Sequence, residues 1–225
     1  MAKILVYNND RDRMETYYRE ENQAMPYVTG NTLTVGEFRG SSRSPTLWTE
    51  KRAMQSWNAP RYLFGSPIPV GYAFKRPYEG GHSSMSQHYA GVSFDTAQTL
   101  SSSERNRLRN VANESGVWSY VEPANLTPTW VHFDKRRGVP ACGAGYPVVR
   151  QGTRGAYVLI LQDSLNTLGY RTGGLDGVFG PRTREAVTNY QRKLGLTVDG
   201  IVGCNTWRSI LEGVVGKGRT ATTID

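Results

Sequence analysis

The most regular hydrophobic pattern of the chain lies in its last third, where three apolar stripes recur at helical spacing. The first stripe stops at Gly169, and the second follows Gly180 and Pro181, a pair that suits a helix cap and the first helical position. The pattern predicts three short helices between residues 146 and 214. The stripes are Tyr157, Leu161, Leu165 and Leu168; then Ala186, Val187, Tyr190 and Leu194; then Trp207, Ile210 and Leu211.

The first 137 residues carry a different pattern, in which strand and helix signals are mixed. In residues 130–134 the polar His132 and Asp134 alternate with the apolar Val131 and Phe133. This alternation predicts a strand that presents His132 and Asp134 on one face. Ser101-Ser-Ser-Glu104 is a capping box and predicts a supporting helix after it. Gly91 allows a bend between His88 and a short strand that ends at Asp95.

A segment of small residues separates the two regions. Residues 138–145 contain glycine, alanine, valine, one proline and one cysteine, and no charge, which predicts a linker. We therefore expect one domain at residues 1–137 and a second at 146–214. Residues 215–225 have neither periodicity nor bulk and are predicted to be a flexible tail.

The charge balance narrows the choice of partner. The chain has 225 residues with 27 Lys+Arg against 19 Asp+Glu, a formal net charge of +8. The excess is spread evenly, with 17 basic and 13 acidic residues up to position 145 and 10 and 6 after it. Without a basic stripe or a groove-reading motif we predict no nucleic acid partner, whereas an anionic wall polymer suits this balance. No apolar run is long enough for membrane insertion.

An internal repeat carries the first resemblance. Asp176-Gly-Val-Phe-Gly-Pro-Arg-Thr183 recurs as Asp199-Gly-Ile-Val-Gly-Cys-Asn-Thr206, each copy leading into a predicted helix. With Arg150-Gln-Gly-Thr-Arg-Gly155 ahead of them, these segments resemble the three-helix peptidoglycan-binding domain of bacterial wall hydrolases. A generic three-helix bundle is the alternative, although such a bundle does not require the doubled Asp-Gly pattern.

The resemblance implies peptidoglycan as partner, a monomer, and a location in the cell wall or outside the cell. The apolar stretch within the first ten residues is too short for a secretory signal. We therefore expect another export route, with phage lysis or a spore as possible settings. In such a setting Cys142 and Cys204 are expected to form a disulfide. Two unpaired buried thiols are the alternative.

The candidate chemistry lies near two of the three histidines. Two imidazoles and a carboxylate, from His88, Asp95 and His132, are a competent ligand set for zinc. A histidine a few residues from an aspartate is common without a metal, so this spacing alone leaves the question open.

The framing of those residues carries the second resemblance. Ser-x-His-x-x-Gly-x-x-x-Asp at 86–95, followed by Trp-Val-His-x-Asp at 130–134, is similar to the zinc D-alanyl-D-alanine carboxypeptidase and endopeptidase family, whose fold is shared with the hedgehog signalling domain. The resemblance implies a zinc cofactor held by His88, Asp95 and His132. It also implies that Ser86 and Arg76 bind a carboxylate of the substrate.

The position of the general base departs from the family, because Thr129 stands where many members have an acid. Asp134 and Glu122 are the two candidate catalytic carboxylates, and either can instead orient His132 through its free ring N–H. His82 is expected to be an exposed loop histidine, with assistance in proton transfer as its alternative role.

The combined prediction is an α+β protein, with a small antiparallel-sheet zinc peptidase domain followed by an all-α three-helix peptidoglycan-binding domain. Its predicted function is a zinc-dependent peptidoglycan hydrolase that cleaves stem or cross-bridge peptides. Two other classes compete with it. One is a non-catalytic wall binder with a structural or vestigial zinc site, and the other is a glycan hydrolase.

Overall fold

A computed structural model describes residues 1–137 and 142–218 and has a mixed α+β architecture. Two small sheets and three helices lie in the N-terminal part, and three further helices follow. The strands are β1 (Ala2–Asn8), β2 (Arg13–Arg19), β3 (Thr46–Glu50), β4 (Val70–Tyr72), β5 (Ser93–Thr96), β6 (Tyr120–Val121) and β7 (Val131–Asp134). The helices are α1 (Val35–Arg39), α2 (Lys51–Phe64), α3 (Ser102–Glu114), α4 (Ala156–Thr167), α5 (Pro181–Lys193) and α6 (Cys204–Val214).

The first sheet has the order β2-β1-β3 and contains a parallel pair. Strand β1 is antiparallel to β2 but parallel to β3, so the expectation of a purely antiparallel domain was wrong for this sheet. The connection from β2 to β3 is long and includes α1, which gives the chain room for the crossover that a parallel pair requires. As the central strand, β1 has a nearly continuous buried run that includes Ile4, Leu5 and Val6.

The second sheet, β4-β5-β7-β6, is antiparallel throughout and positions the candidate site. The strand predicted at residues 130–134 is confirmed as β7. Its partner β5 aligns Phe94 with Phe133 on the core side and Asp95 with His132 on the other side. The register therefore places the aspartate and the histidine side by side on the face of the sheet that is turned away from the core.

Helix α3 confirms the predicted capping box, because the Ser101 side chain accepts from the Glu104 backbone N–H and the Glu104 side chain accepts from the Ser101 backbone. Leu108 and Ala112 turn its buried face inward. The longest helix is α2, and none of the helices in the described ranges has the length and apolar character needed to cross a membrane.

The two repeats near the C-terminus fold into equivalent brackets, each closed by a buried glutamine. Each glutamine amide donates to an aspartate carboxylate, a backbone carbonyl and a threonine hydroxyl, and its side-chain oxygen accepts from a glycine N–H of the turn. Gly180 caps α5 and Pro181 opens it, as the sequence predicts. The brackets are Gln162 with Asp176, Val178, Thr183 and Gly177, and Gln191 with Asp199, Ile201, Thr206 and Gly200.

Helix α4 lies between the two halves of the chain and is buried along its whole length. It packs against α5 and α6 on one side and against β3 and two 3₁₀ turns of the N-terminal part on the other. The predicted disulfide between Cys142 and Cys204 is present, with Cα atoms 4.9 Å apart. The N-terminal part and the three C-terminal helices therefore share a core.

The segments expected to be a linker and a tail lie partly outside the described residues. Where the linker is described, Tyr146 follows it directly and is fully buried. The first residues of the expected tail pair with the N-terminal part, since Gly216 N–H donates to the Pro77 carbonyl at 3.1 Å and Gly218 N–H to the Tyr78 carbonyl at 3.0 Å. Up to Gly218 this segment is thus hydrogen-bonded to the N-terminal part, and the prediction of a flexible tail was wrong for it.

Candidate functional site

The structure brings the three predicted zinc ligands together from two strands and a 3₁₀ turn. Asp95 on β5 lies opposite His132 on β7, and His88 lies in the turn Gln87–Ala90. His132 Nδ1 is 2.6 Å from Asp95 Oδ1, and His88 Nε2 is 3.2 Å from Asp95 Oδ2. The Asp95 carboxylate thus faces one nitrogen of each imidazole. A cation that displaces the protons between them could bind to all three groups.

Gly91 ends the turn that carries His88, and no other residue fits there. Its φ is +64°, in the left-handed region that favours glycine. A Cβ at this position would lie 2.1 Å from the Trp48 carbonyl oxygen. The bend inferred from the sequence therefore has both a conformational and a steric cause.

The other ring nitrogen of each imidazole is also held. His88 Nδ1 lies 3.2 Å from the Ala73 carbonyl, and because a carbonyl only accepts, Nδ1 carries a proton. His132 Nε2 lies 3.1 Å from Asp134 Oδ2. This is the outer hydrogen bonding that metal-binding histidines have in proteins, since it fixes the tautomer and the ring orientation.

The electrostatics of the cluster favour a positive charge between the carboxylates. Burial alone would lower the pKa of His132, but hydrogen bonds to Asp134 and Asp95 and their charges outweigh it and raise the pKa to about 9. Burial would raise the pKa of Asp95, yet the hydrogen bonds from His132 and His88 hold it well below its usual range. The two carboxylates therefore hold a positive charge on His132 in this arrangement.

The two candidate general bases lie in different places. Asp134 is fully buried, and its carboxylate accepts from Arg136 Nε at 2.8 Å, from the Arg136 backbone N–H at 2.9 Å and from His132. Its position behind His132 suits orientation of that ring. Glu122 is half-buried and lines the open cleft in front of His88, Asp95 and His132.

The cleft has a volume of about 220 Å³ and polar walls. Ser86 lines it and caps the 3₁₀ turn, because its hydroxyl accepts from the His88 N–H at 3.3 Å. Arg136 also lines the cleft, with its guanidinium 4.0 Å from the centre of the Tyr120 ring. Arg136 was not among the residues predicted for the site, although it stands two positions after Asp134, as Asp134 does after His132.

Arg76, the predicted clamp for a substrate carboxylate, does not reach the cleft. Its side chain is fully buried, and its Nε donates to Asp163 Oδ2 at 3.0 Å while Nη1 donates to Ser44 Oγ at 2.9 Å. Nη2 completes a two-pronged ion pair with the same aspartate. Arg76 therefore joins the 3₁₀ turn Pro77–Glu79 to α4. This position is not compatible with the predicted role of Arg76 in binding a carboxylate of the substrate.

His82 differs from the expected exposed loop histidine. Its ring stacks on that of His88 with centroids 4.3 Å apart, and it lines the same cleft. Burial, followed by the nearby His88, lowers the pKa of His82 to about 4, so the ring is neutral at neutral pH. The clustering depends on how a glycine-containing loop folds, which residue spacing does not reveal.

The C-terminal part holds the turn that carries His88. Tyr157 on α4 donates to Gln87 Oε1 at 2.6 Å, and the Tyr146 hydroxyl donates to the Ser86 carbonyl at 2.9 Å. Gln87 in turn donates to the Ala144 carbonyl. The two residues directly before His88, Ser86 and Gln87, are thus anchored by the C-terminal part.

Residues 154–210 match the family described as "Putative peptidoglycan binding domain". A spore cortex-lytic enzyme of Bacillus cereus is 42% identical over 65 residues, which is 29% of this chain and 25% of the relative. The N-acetylmuramoyl-L-alanine amidase CwlM of Mycobacterium tuberculosis is 49% identical over 53 residues, 24% of this chain and 13% of the relative. The chain thus spans about a quarter or less of these relatives, within the peptidoglycan-binding part.

Two solved structures match a similar length of the chain. One is a peptidoglycan-binding protein from Clostridioides difficile in complex with glutamine hydroxamate, 37% identical over 32% of this chain and 46% of that chain, with a TM-score of 0.31. The other is the SleB N-terminal domain, 39% identical over 31% of this chain and 94% of that chain, with a TM-score of 0.30. The family match over residues 154–210 identifies the C-terminal helical part as a peptidoglycan-binding domain.

Proposed function

We propose that this chain is a cell-wall hydrolase that cleaves the peptide part of peptidoglycan, with its N-terminal cleft as catalytic site and its helical domain as wall anchor. The observation that carries the proposal is the convergence of His88, Asp95 and His132 in an open cleft, each imidazole being held at its other ring nitrogen. The names of the relatives that share the binding domain, which are wall-lytic enzymes, support peptidoglycan as the partner.

The donor set fits zinc. His88 Nε2, the Asp95 carboxylate and His132 Nδ1 would hold the ion, and two imidazoles with one carboxylate are a common catalytic set for it. When bound, zinc supplies Lewis-acid chemistry that polarises a peptide carbonyl and acidifies water. Asp134 keeps His132 in the orientation that this role requires.

The remaining cleft residues handle the proton and the substrate. Glu122 is the carboxylate on the cleft wall, so it takes a proton from the attacking water and delivers it to the leaving amine. Arg136 and Ser86 border the same space and bind a carboxylate of the stem peptide, as in a D-alanyl-D-alanine carboxypeptidase or an endopeptidase. The wall anchor raises the local concentration of that peptide.

The cell wall or the spore cortex is the proposed place of action. The disulfide between Cys142 and Cys204 suits an oxidising compartment, and the net charge of +8 suits an anionic wall. The protein acts there as a monomer.

The test is incubation of the full chain with zinc and insoluble peptidoglycan, with the His132→Ala variant beside it. We expect new amino termini or free D-alanine from the native protein, a loss of at least about 100-fold in His132→Ala, and equal wall retention by both. Wall retention without any cleavage would establish a non-catalytic binder. Reducing sugar without new amino termini would establish a glycan hydrolase.

A further inference from the structure

A third histidine lies within reach of the metal ligands. The donor atoms of His82, His88 and Asp95 are all within 4.8 Å of one another. Asp95 also contacts His132, so it belongs to both groups of donors. The loop between the 3₁₀ turns Pro77–Glu79 and Gln87–Ala90 therefore delivers a further imidazole to the same carboxylate.

One ring nitrogen of His82 lacks a hydrogen-bond partner among the described residues. His82 Nε2 is buried and makes no hydrogen bond to any residue in the described ranges. A buried imidazole nitrogen without a partner is unfavourable, and in native proteins such atoms usually bind a water or an ion. The stacking on His88 brings this ring directly to a predicted zinc ligand.

The loop around His82 is held in place by specific contacts. The Tyr89 hydroxyl donates to the His82 carbonyl at 3.2 Å, and the Tyr72 ring packs edge-on against the imidazole with centroids 4.1 Å apart. Gly80 and Gly81 precede His82 with φ of +68° and +97°, a conformation that other residues rarely adopt. A Cβ on Gly80 would lie 2.6 Å from the Gly216 Cα. The approach of His82 to the cluster is thus built into the backbone.

We propose that His82 is a fourth protein ligand of the metal, completing a set of three imidazoles and one carboxylate for a zinc-like divalent cation. The inference rests on the proposed function, because it assumes the site formed by His88, Asp95 and His132. Four protein donors satisfy the tetrahedral preference of zinc and leave no open position. In the conformation seen here the site would therefore be closed, and His82 would have to leave the metal before water and substrate could bind.

The experiment compares the full chain with His82→Ala, and with Ser84→Ala as a matched control from the same loop. The readouts are zinc affinity by chelator competition and the visible absorption spectrum of the cobalt-substituted protein, which changes when a ligand of the metal is exchanged. We expect native protein and Ser84→Ala to give the same spectrum. In His82→Ala a water would take the place of the imidazole, so the spectrum should shift and zinc should bind at least about tenfold more weakly. Thermal unfolding and a His82→Gln variant exclude a folding defect as the cause.

The outcomes separate this inference from the proposed function. If native protein binds one zinc and His82→Ala matches it in affinity and cobalt spectrum, His82 is no ligand, while the site of His88, Asp95 and His132 stands. If native protein binds no zinc, both are overturned. If His82→Ala weakens zinc binding but wall peptides are never cleaved, the metal site stands as a closed structural site and the proposed function falls.

Discussion

The repeats of the helical domain and the histidine cluster of the N-terminal part are two polar networks assembled over different sequence distances. In the first repeat, Gln162 reaches partners 14 to 21 residues away, and in the second Gln191 reaches partners 8 to 15 residues away. In the cluster, Asp95 and His132 are 37 residues apart. The brackets are built by local turns, whereas the cluster exists only once β5 and β7 have paired.

This difference decides what each network can do. A bracket satisfies all its polar groups internally, with each glutamine amide shared among an aspartate, a carbonyl and a threonine. The cluster instead brings two imidazoles and a carboxylate together beside an open cleft. The brackets therefore stabilise a scaffold, whereas polar groups gathered beside a cleft are available to a ligand.

The largest expected effect comes from removing the charge at the centre of the cluster. Asp95→Asn takes away the anion that both His88 and His132 face, so zinc affinity should fall by more than about 100-fold and peptide cleavage with it. Wall retention should be unchanged, because it belongs to the helical domain. Metal stoichiometry and a wall sedimentation assay check the two halves of this prediction. Joint loss of zinc and wall retention would mean that the two networks are not separable.

The sequence predicted the turns and helix caps better than the surroundings of the histidine cluster, for physical reasons. The Asp-Gly turns, the cap at Gly180 and the capping box at Ser101 depend on neighbours a few residues away, so local chemistry determines them. The disulfide was also foreseen, and it is present. Burial of Arg76 and of His82 depends on which distant elements pack together, and spacing does not encode that.

One signal of the long-range packing was nevertheless visible. Asp163 follows the apolar run Tyr157–Leu161, where a charged residue calls for a buried partner. The partner is Arg76, 87 residues earlier in the chain. The parallel pairing of β1 with β3 left no comparable mark, because a buried central strand and a buried helix segment share the same apolar run.

The second prediction concerns this ion pair between the halves. Arg76→Met leaves Asp163 buried without its charged partner, so the free energy of unfolding should fall by about 3–5 kcal/mol in urea titration. Arg76→Met with Asp163→Leu should recover most of that loss, since no unpaired charge remains. Arg154→Met, which breaks the exposed pair with Asp12, should cost about 1 kcal/mol or less.

The same titration tests whether the two networks lie in one cooperative unit. Because α4 contacts both halves, native protein should unfold in a single transition by fluorescence and by circular dichroism. Separate transitions for the two probes, with Arg76→Met destabilising one of them alone, would contradict the shared core.

The third prediction compares the two brackets with each other. Gln162→Ala and Gln191→Ala each strand buried donors and acceptors of a turn, so each should destabilise by about 1–3 kcal/mol in thermal or urea unfolding. The two losses should be similar because the hydrogen bonds are equivalent. Gln55→Ala, at an exposed position of α2, should stay within about 0.5 kcal/mol of native protein. A large loss in one bracket alone would show that the repeat is equivalent in sequence but not in energy.

The smallest expected effect is an acid sensitivity that belongs to the N-terminal part. The Glu15 carboxylate accepts from the hydroxyls of Tyr27 and Tyr17 and from Asn8, and the Tyr27 hydrogen bond is the main cause that lowers its pKa to about 2. Because the folded pKa lies below the unfolded one, this stabilisation is complete above about pH 4.5 and is lost as the pH falls towards 2.

Glu15→Gln should therefore lower the free energy of unfolding by about 1–2 kcal/mol above pH 4.5 and by less at pH 2 to 3, so that the two proteins converge in acid. The exposed Glu20→Gln is the control and should stay within about 0.5 kcal/mol of native protein. Urea titrations at a series of pH values measure the difference. If the difference in the free energy of unfolding between Glu15→Gln and native protein stayed constant across that range, Glu15 would act through packing rather than through its charge. The contrast between the charged groups of the N-terminal part and the glutamine brackets would then not include β2.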